Sequence, residues 1–245
     1  MIVITDLKKK IGDRLITKGV NLQIPKGKMT VIMGRSGEGK SLLLKQIIGL
    51  IKPTSGSIHI DGIDITKQSV THKKIGYVFQ FAALLDSLNV FENIGITLLE
   101  QSIDREEVMR IVKHKLALVH LKQDTLTKYP SELSGGMRKR VGLARTLVTN
   151  PDIILYDEPT TGLDPITSRV IHELMLSTQQ QLGLTSVVIS HDVEILKYAD
   201  HVALLHEGVI AYYGDAQTAF NSENKYISQF LQGNIQGPIQ SDPQE

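Results

Sequence analysis

The spacing of apolar and polar residues changes character twice along the chain. Val20-Asn-Leu-Gln-Ile24 alternates apolar and polar, the period of a half-buried strand, and Ile2-Val-Ile4 reads as a short strand before it. Met29–Met33 is apolar without a break and runs into a glycine-rich loop, followed by an apolar helical stretch from Leu42 to Leu50. Lys52-Pro-Thr-Ser-Gly56 is a turn cluster, and Ser57-Ile-His-Ile60 with Asp61-Gly62 reads as a strand and hairpin turn. Ile75-Gly-Tyr-Val-Phe79 is a further strand, ending at Gln80. This opening part is expected to form an antiparallel sheet around the Met29–Met33 strand.

From Phe81 to about Leu143 the spacing turns helical. Asp86–Leu98 carries apolar residues at Leu88, Phe91, Ile94 and Leu98. Asp104 with Glu107 three residues on predicts a capping box, opening a helix through Val108, Val112, Leu116 and Val119. Tyr129-Pro-Ser131 breaks the run, and Ser134-Gly-Gly136 starts a third helix, Met137 to Thr149. The last third alternates. Ile153–Tyr156 is a strand ending in Asp157-Glu158, and a helix spans about Pro165 to Leu182. Thr185–Ile189 is a strand ending in Ser190-His191-Asp192, and the helix Val193–Tyr198 leads to strands at Val202–Leu205 and Val209–Ala211. Such alternation predicts parallel strands joined by crossover helices. From Gly233 to Glu245 the chain is polar and aperiodic, so a flexible tail, disordered or docked on a partner, is expected.

Composition narrows the functional classes. With 245 residues, 41% of them hydrophobic, there is enough chain for one large domain or two small ones. Net charge is +1, from 27 basic and 26 acidic residues, which gives no basic excess for a nucleic-acid partner. The absence of cysteine removes disulfides and thiol chemistry. No signal-peptide pattern opens the chain, and no run approaches the ~18 apolar residues that cross a bilayer. The expectation is a soluble, cytoplasmic protein that meets a membrane only through a partner.

Three stretches carry candidate chemistry. Gly34-Arg35-Ser36-Gly37-Glu38-Gly39-Lys40-Ser41 fits the phosphate-binding pattern G-x-x-x-x-G-K-[ST] between a strand and a helix. Its glycines let the backbone turn so that N–H groups converge on an anion, and the helix start at Lys40, Ser41 and Leu42 adds its dipole. Lys40 is placed to reach the β- and γ-phosphates and the Ser41 hydroxyl to ligate Mg²⁺. Glu38 puts a carboxylate into this loop, so its side chain is expected to point out to solvent. Asp157 and Glu158 end an apolar strand, where open α/β sheets bind ligands. Asp157 can hold Mg²⁺ through its water shell, and Glu158 can polarise an attacking water. Leu133-Ser-Gly-Gly-Met137 opens a helix with a second anion-binding start. Two such starts grip one nucleoside triphosphate most readily when two copies of the chain pair head to tail about a two-fold axis.

In this order, the motifs make the chain resemble the ATPase subunit of an ATP-binding-cassette (ABC) transporter. The resemblance implies a P-loop NTPase (RecA-like) α/β core with an antiparallel β subdomain and a helical subdomain near residues 82–147, all within one domain of residues 1–232. It casts Gly34–Ser41 as Walker A, Gln80 as the Q-loop glutamine reaching Mg²⁺ or the attacking water, and Leu133–Met137 as the signature. Asp157-Glu158 ends Walker B, Gly162-Leu-Asp164 is the D-loop and His191 is the switch histidine. It implies ATP and Mg²⁺ as ligands and a homodimer in which Ser134, Gly135 and Gly136 of one copy close on the P-loop of the other. Asp164 belongs at that interface, or simply caps the helix that Pro165 begins; both can hold. Phe81-Ala-Ala-Leu-Leu85 is helical-subdomain core, or a groove that receives a short helix of the membrane subunit.

Met137 at the end of the signature, Phe79–Asn93 and Asp157–Thr167 are similar to the Mla/Mce-type subgroup, which implies phospholipid or other lipid trafficking. The implied partners are an integral-membrane permease and lipid-binding or small regulatory subunits, with the ATPase peripheral on the inner face of the cell membrane. A non-lipid transporter ATPase and a soluble non-transport ABC ATPase stay open as alternatives. One departure stands out: Ile11 precedes Gly12 where the family stacks an aromatic on adenine. Arg14 is the nearest candidate to stack there instead.

Overall fold

The computed structural model describes residues 1–67 and 74–240. In chain order it places β1 (Ile2–Ile11), β2 (Arg14–Ile24), β3 (Met29–Met33), α1 (Lys40–Ile47), β4 (Ser55–Ile60), β5 (Ile63–Asp64) and β6 (Ile75–Val78). Helices α2 (Val90–Glu100), α3 (Arg105–Leu118) and α4 (Gly135–Leu147) follow, then β7 (Ile153–Asp157) and α5 (Pro165–Leu182). The chain closes with β8 (Thr185–Ile189), β9 (His201–His206), β10 (Val209–Asp215) and α6 (Lys225–Gln232). These elements form two compact units, Met1–His72 with Thr185–Glu245, and Lys73–Leu184.

In the first unit β1 pairs antiparallel with β2 and β4, so that Ile2 stands opposite Ile24 and Ile60, and Ile4 opposite Leu22 and Ile58. These side chains are buried, as the alternating pattern requires. β3 does not join this sheet, contrary to the expectation from the sequence. It lies between β8 and β9, parallel to both, with Val31 opposite Val188 and Val202. All five of its residues are buried. An uninterrupted apolar run suits a central parallel strand covered on both faces, whereas a half-solvated antiparallel strand alternates. β10 closes this group antiparallel to β9.

The second unit pairs β6 with β7 in parallel, Ile75 opposite Ile153 and Val78 opposite Tyr156. β6 therefore leaves the opening antiparallel group to which the sequence reading assigns it. Helices α2, α3 and α4 bury Val90, Ile94, Val108, Val112, Leu116, Val141 and Leu147. α2 starts four residues later than Asp86, the expected start: Asn89 caps it, accepting from the Glu92 N–H at 2.9 Å, while the Glu92 carboxylate accepts from the Asn89 N–H at 3.0 Å. The capping box is thus here rather than at Asp104. Asp104 accepts from the Glu106 and Glu107 N–H groups, but the Glu107 carboxylate is turned to Arg110. The Val193–Tyr198 stretch is a 3₁₀ turn.

α6 has no counterpart among the elements expected from the sequence, and it anchors part of the segment expected to be flexible. The Gln229 amide donates to the Ile239 carbonyl at 2.8 Å and accepts from the Ile239 N–H at 2.7 Å, and Ile239 is buried. The expectation of a flexible tail for residues 241–245 falls outside the described residues. Among the described residues no helix is long and apolar enough to cross a membrane.

Candidate active site

In the first unit, two loops leave the carboxyl ends of the adjacent parallel strands β3 and β8, the edge of an α/β sheet where ligands bind. The loop after β3 turns on Gly34, Gly37 and Gly39, with φ of 152°, 76° and 93°. A Cβ at Gly34 would lie 2.4 Å from the Leu205 carbonyl oxygen, and one at Gly39 2.7 Å from Ile16 Cγ2. Only glycine fits at those two points. α1 then begins at Lys40 with no side-chain cap and no acidic residue in its first turn. A helix start of that kind favours an anionic ligand. The Lys40 ammonium is buried and curls over the loop, donating to the carbonyls of Gly34 at 2.8 Å and Arg35 at 2.7 Å. Arg35 in turn donates to the Gln240 carbonyl at 2.7 Å. His191 follows β8 and is exposed.

Glu38 does not point out to solvent. Its Oε1 lies 2.9 Å from His206 Nδ1, and the two side chains are only 13% and 14% exposed. The His206 ring packs against Tyr226 of α6, centroid to centroid at 5.5 Å. A carboxylate repels a phosphate, and the pairing with His206 gives this one a partner within the protein. Beside the loop lies a cleft of about 550 Å³ whose lining includes Arg14, Lys18 and the loop residues Arg35–Glu38. Ile11 is 54% exposed and is not part of that lining, whereas Arg14 and Arg35 are, each with a planar guanidinium.

The second unit gathers Gln80, Asp157 and Glu158. Asp157 ends β7 and accepts a hydrogen bond from the Tyr77 hydroxyl at 2.7 Å. Burial, and then the bond and charge of Asp157, push the Tyr77 hydroxyl pKa up, so it stays a donor. Glu158 follows in a left-handed conformation, φ 47°, which is uncommon away from glycine. Its Oε2 accepts from the Thr161 hydroxyl at 2.9 Å and faces the Gln80 amide at 3.5 Å. Lys139 of α4 donates to the Gln80 carbonyl. After Gln80 the chain alternates between core and surface: Ala82 is 2% exposed, whereas Phe81 is 79% and Leu85 46% exposed.

The helix start at Ser134-Gly135-Gly136 lies in this same unit. Ser134 caps α4 through its hydroxyl, which accepts from the Met137 N–H at 3.3 Å. A Cβ at Gly136 would lie 2.6 Å from Thr167 Cγ2 and one at Gly135 3.2 Å from Leu163, so both glycines permit close packing against the turn into α5. Asp164 is the cap of α5: it accepts from the Ile166 and Thr167 N–H groups at 3.0 and 2.9 Å and from the Thr167 hydroxyl at 2.6 Å. Those bonds, the Thr167 hydroxyl first, hold its carboxyl below the usual range.

Tyr77, Lys139, Thr161 and His206 have no counterpart among the residues singled out from the sequence. Thr161 stands three residues from Glu158, a local signal; the other three reach partners 80, 59 and 168 residues away.

Ser41 in the first unit, and Gln80 and Asp157 in the second, each offer an oxygen ligand of the kind a hard divalent cation such as Mg²⁺ takes. Among the described residues no group of three or more His, Cys, Asp or Glu side chains is placed to hold a metal by itself.

The family model described as ABC transporter matches residues 17–161. The chain is 40% identical over 246 residues to the intermembrane phospholipid transport system ATP-binding protein MlaF of Haemophilus influenzae, covering 98% of this chain and 93% of that protein. It is 39% identical over 245 residues to the probable ribonucleotide transport ATP-binding protein mkl of Mycobacterium tuberculosis, covering 97% of this chain and 68% of that protein. A dimeric, post-hydrolysis structure of the ATP-binding cassette MJ0796 bound to ADP and Pi aligns with a TM-score of 0.78 at 32% identity, covering 88% of this chain and 99% of that one.

Proposed function

This chain belongs to the ABC transporter family of ATPases, and on that premise we propose that two copies enclose two ATP molecules and that hydrolysis drives a permease moving phospholipid or another lipid. The observation that carries the reading is the uncapped start of α1, with Lys40 folded over a loop that admits glycine alone at Gly34 and Gly39. The backbone N–H groups from Gly34 through Leu42 hold the β- and γ-phosphates, and Lys40 exchanges its two loop carbonyls for phosphate oxygens. Ser41, Gln80 and Asp157 would hold Mg²⁺, which would neutralise charge on those phosphates.

Glu158 orients a water for in-line attack on the γ-phosphorus and takes up its proton. His191 donates to a γ-phosphate oxygen, and the bond to the ADP oxygen breaks as phosphate forms. Positioning and charge stabilisation carry such a reaction. Ser134, Gly135 and Gly136 of the second copy complete each site, with Asp164 at the contact between copies. The partners are an integral-membrane permease, with lipid-binding and small regulatory subunits, which hold the ATPase at the inner face of the cell membrane. Phe81 and Leu85, exposed beside Gln80, supply the apolar surface for the permease.

The lipid assignment rests on the subgroup motifs and on the likeness to MlaF, whereas the name of mkl carries ribonucleotide transport. Purifying the chain with its attached proteins from membranes, and identifying bound small molecules by mass spectrometry, tests it. Phospholipid in the complex is the expected result. A complex carrying nucleotides as cargo, or recovery of the chain with no membrane protein, overturns the assignment.

A further inference from the structure

Within the second unit, α4 does more than present the Ser134-Gly135-Gly136 start. It also grips the segment that follows Gln80. Lys139, in the second turn of α4, donates its ammonium to the Gln80 carbonyl. Arg145, nearly two turns further on, donates to the carbonyls of Ala82 and Ala83, each at 2.7 Å. Ala82 and Ala83 both adopt left-handed conformations, φ 60° and 47°, which non-glycine residues hold only when their surroundings impose it. Gly142 admits this segment closely, since a Cβ there would lie 3.2 Å from the Cβ of Ala82.

Lys139 is only 8% exposed. A buried ammonium needs partners, because removing it from water costs several kcal/mol unless it is paired or hydrogen-bonded. Burial pushes its pKa down, and attraction to the Glu158 carboxylate acts in the opposite direction. The same cation is thus bonded to the Gln80 carbonyl and in the field of Glu158, whose Oε2 faces the Gln80 amide.

We propose that Lys139 is a positioning residue for ATP hydrolysis, tying Gln80 to the helix whose start closes on the nucleotide held by the other copy. The inference rests on the composite dimer of the preceding section. There, the start of α4 serves one ATP, while Gln80 and Glu158 of the same copy serve the other. The Lys139 bond makes the two ends of that link one body, so closure at one nucleotide sets Gln80 at the second. Arg145 shapes the turn at Ala82 and Ala83; Lys139 is the side chain of α4 that reaches Gln80 itself.

The bland alternative is a lysine that merely satisfies a buried carbonyl, and the test separates the two. The full-length chain is assayed with Mg·ATP as wild type, Lys139→Met, Lys139→Arg, Lys139→Gln, Glu158→Gln and the Lys139→Met/Glu158→Gln double variant. Loss of this bond is expected to lower kcat by about 10–100-fold in Lys139→Met, equivalent to about 1.4–2.7 kcal/mol of activation free energy. Its ATP affinity and Tm are expected to stay near wild type and its Hill coefficient to fall toward one. Lys139→Arg is expected to recover most of the rate. In single turnover, Lys139→Met is expected to add nothing to Glu158→Gln, as residues acting as one unit behave.

If Lys139→Met does not fold, Lys139→Gln decides, since its shorter uncharged chain loses the reach to Gln80; it too is expected to lose rate and cooperativity at unchanged Tm. Full rate in either variant, or parallel loss of rate and Tm without rescue by arginine, overturns the proposal. Normal turnover by Glu158→Gln would instead overturn the hydrolytic site itself, so the two failures are distinguishable.

Discussion

Glu38 Oε1 and His206 Nδ1 lie 2.9 Å apart, joining the phosphate loop to the end of β9. The contact gives the acidic residue of the loop a partner inside the protein. Replacing His206 by Phe removes a largely buried partner, which costs about 1–3 kcal/mol, and frees the carboxylate to face the ligand. ATP affinity is expected to fall about tenfold in His206→Phe, and the double variant with Glu38→Gln to recover it. Equilibrium titration with a fluorescent ATP analogue checks both. Unchanged affinity in His206→Phe would show that the pairing does not govern the loop.

Much of the site is legible in the sequence because its signals are local. Gly34, Gly39, Lys40 and Ser41 sit in one strand–loop–helix passage, and Asp157 and Glu158 end one strand. What is not legible depends on partners distant along the chain. The period of β3 says that it is buried but not that β8 and β9 flank it. α2 is the exception, since its start at Val90 is set locally by the reciprocal bonds of Asn89 and Glu92. Nothing in the run of residues around Glu38 points to His206. The capping box at Asp104 fails for a local reason: Arg110, three residues beyond Glu107 on the same helix, takes the carboxylate that would have closed it.

Tyr77 holds Asp157 through a 2.7 Å hydrogen bond. Partners of metal-ligating groups typically matter about 10–100-fold in metal affinity or activity. Tyr77→Phe keeps the ring packing and removes the bond. The Mg²⁺ concentration for half-maximal ATPase is therefore expected to rise about tenfold, with ATP affinity measured without Mg²⁺ unchanged. An unaltered Mg²⁺ dependence would show that the Tyr77 bond does not tune the cation site.

Asp164 carries two readings that stability and activity can separate. As the cap of α5, its carboxyl is held below the ordinary carboxylate range by the Thr167 hydroxyl and the neighbouring N–H groups. A depressed carboxyl contributes stability that is fully present above its unfolded value and is lost as pH falls through the folded one. Tm is therefore expected to drop below about pH 4 more steeply in wild type than in Asp164→Asn, which caps without a charge. At neutral pH, Asp164→Asn is expected to stay folded yet hydrolyse ATP more slowly, through the contact between copies. Full activity there would leave only the cap.

Ser134→Arg places a bulky cation at the start of α4, which in the proposed dimer receives the partner copy's nucleotide. ATP binding by the single copy is expected to persist, since Gly34–Leu42 are untouched, while hydrolysis falls at least a hundredfold, the order lost when a site's anion-binding donors are removed. Isothermal titration and phosphate release measured on the same preparation check this. Normal phosphate release would mean that each copy hydrolyses alone.

The most direct measurement concerns Glu158, whose carboxylate sits on a left-handed residue between Thr161 and Gln80. The full-length Glu158→Gln variant is mixed with ATP and Mg²⁺, its mass is followed by light scattering, and bound nucleotide and released phosphate are counted. The expected result is a stable dimer carrying two unhydrolysed ATP molecules. A monomer that releases phosphate at the wild-type rate would contradict both the water-orienting role of Glu158 and the two-copy site.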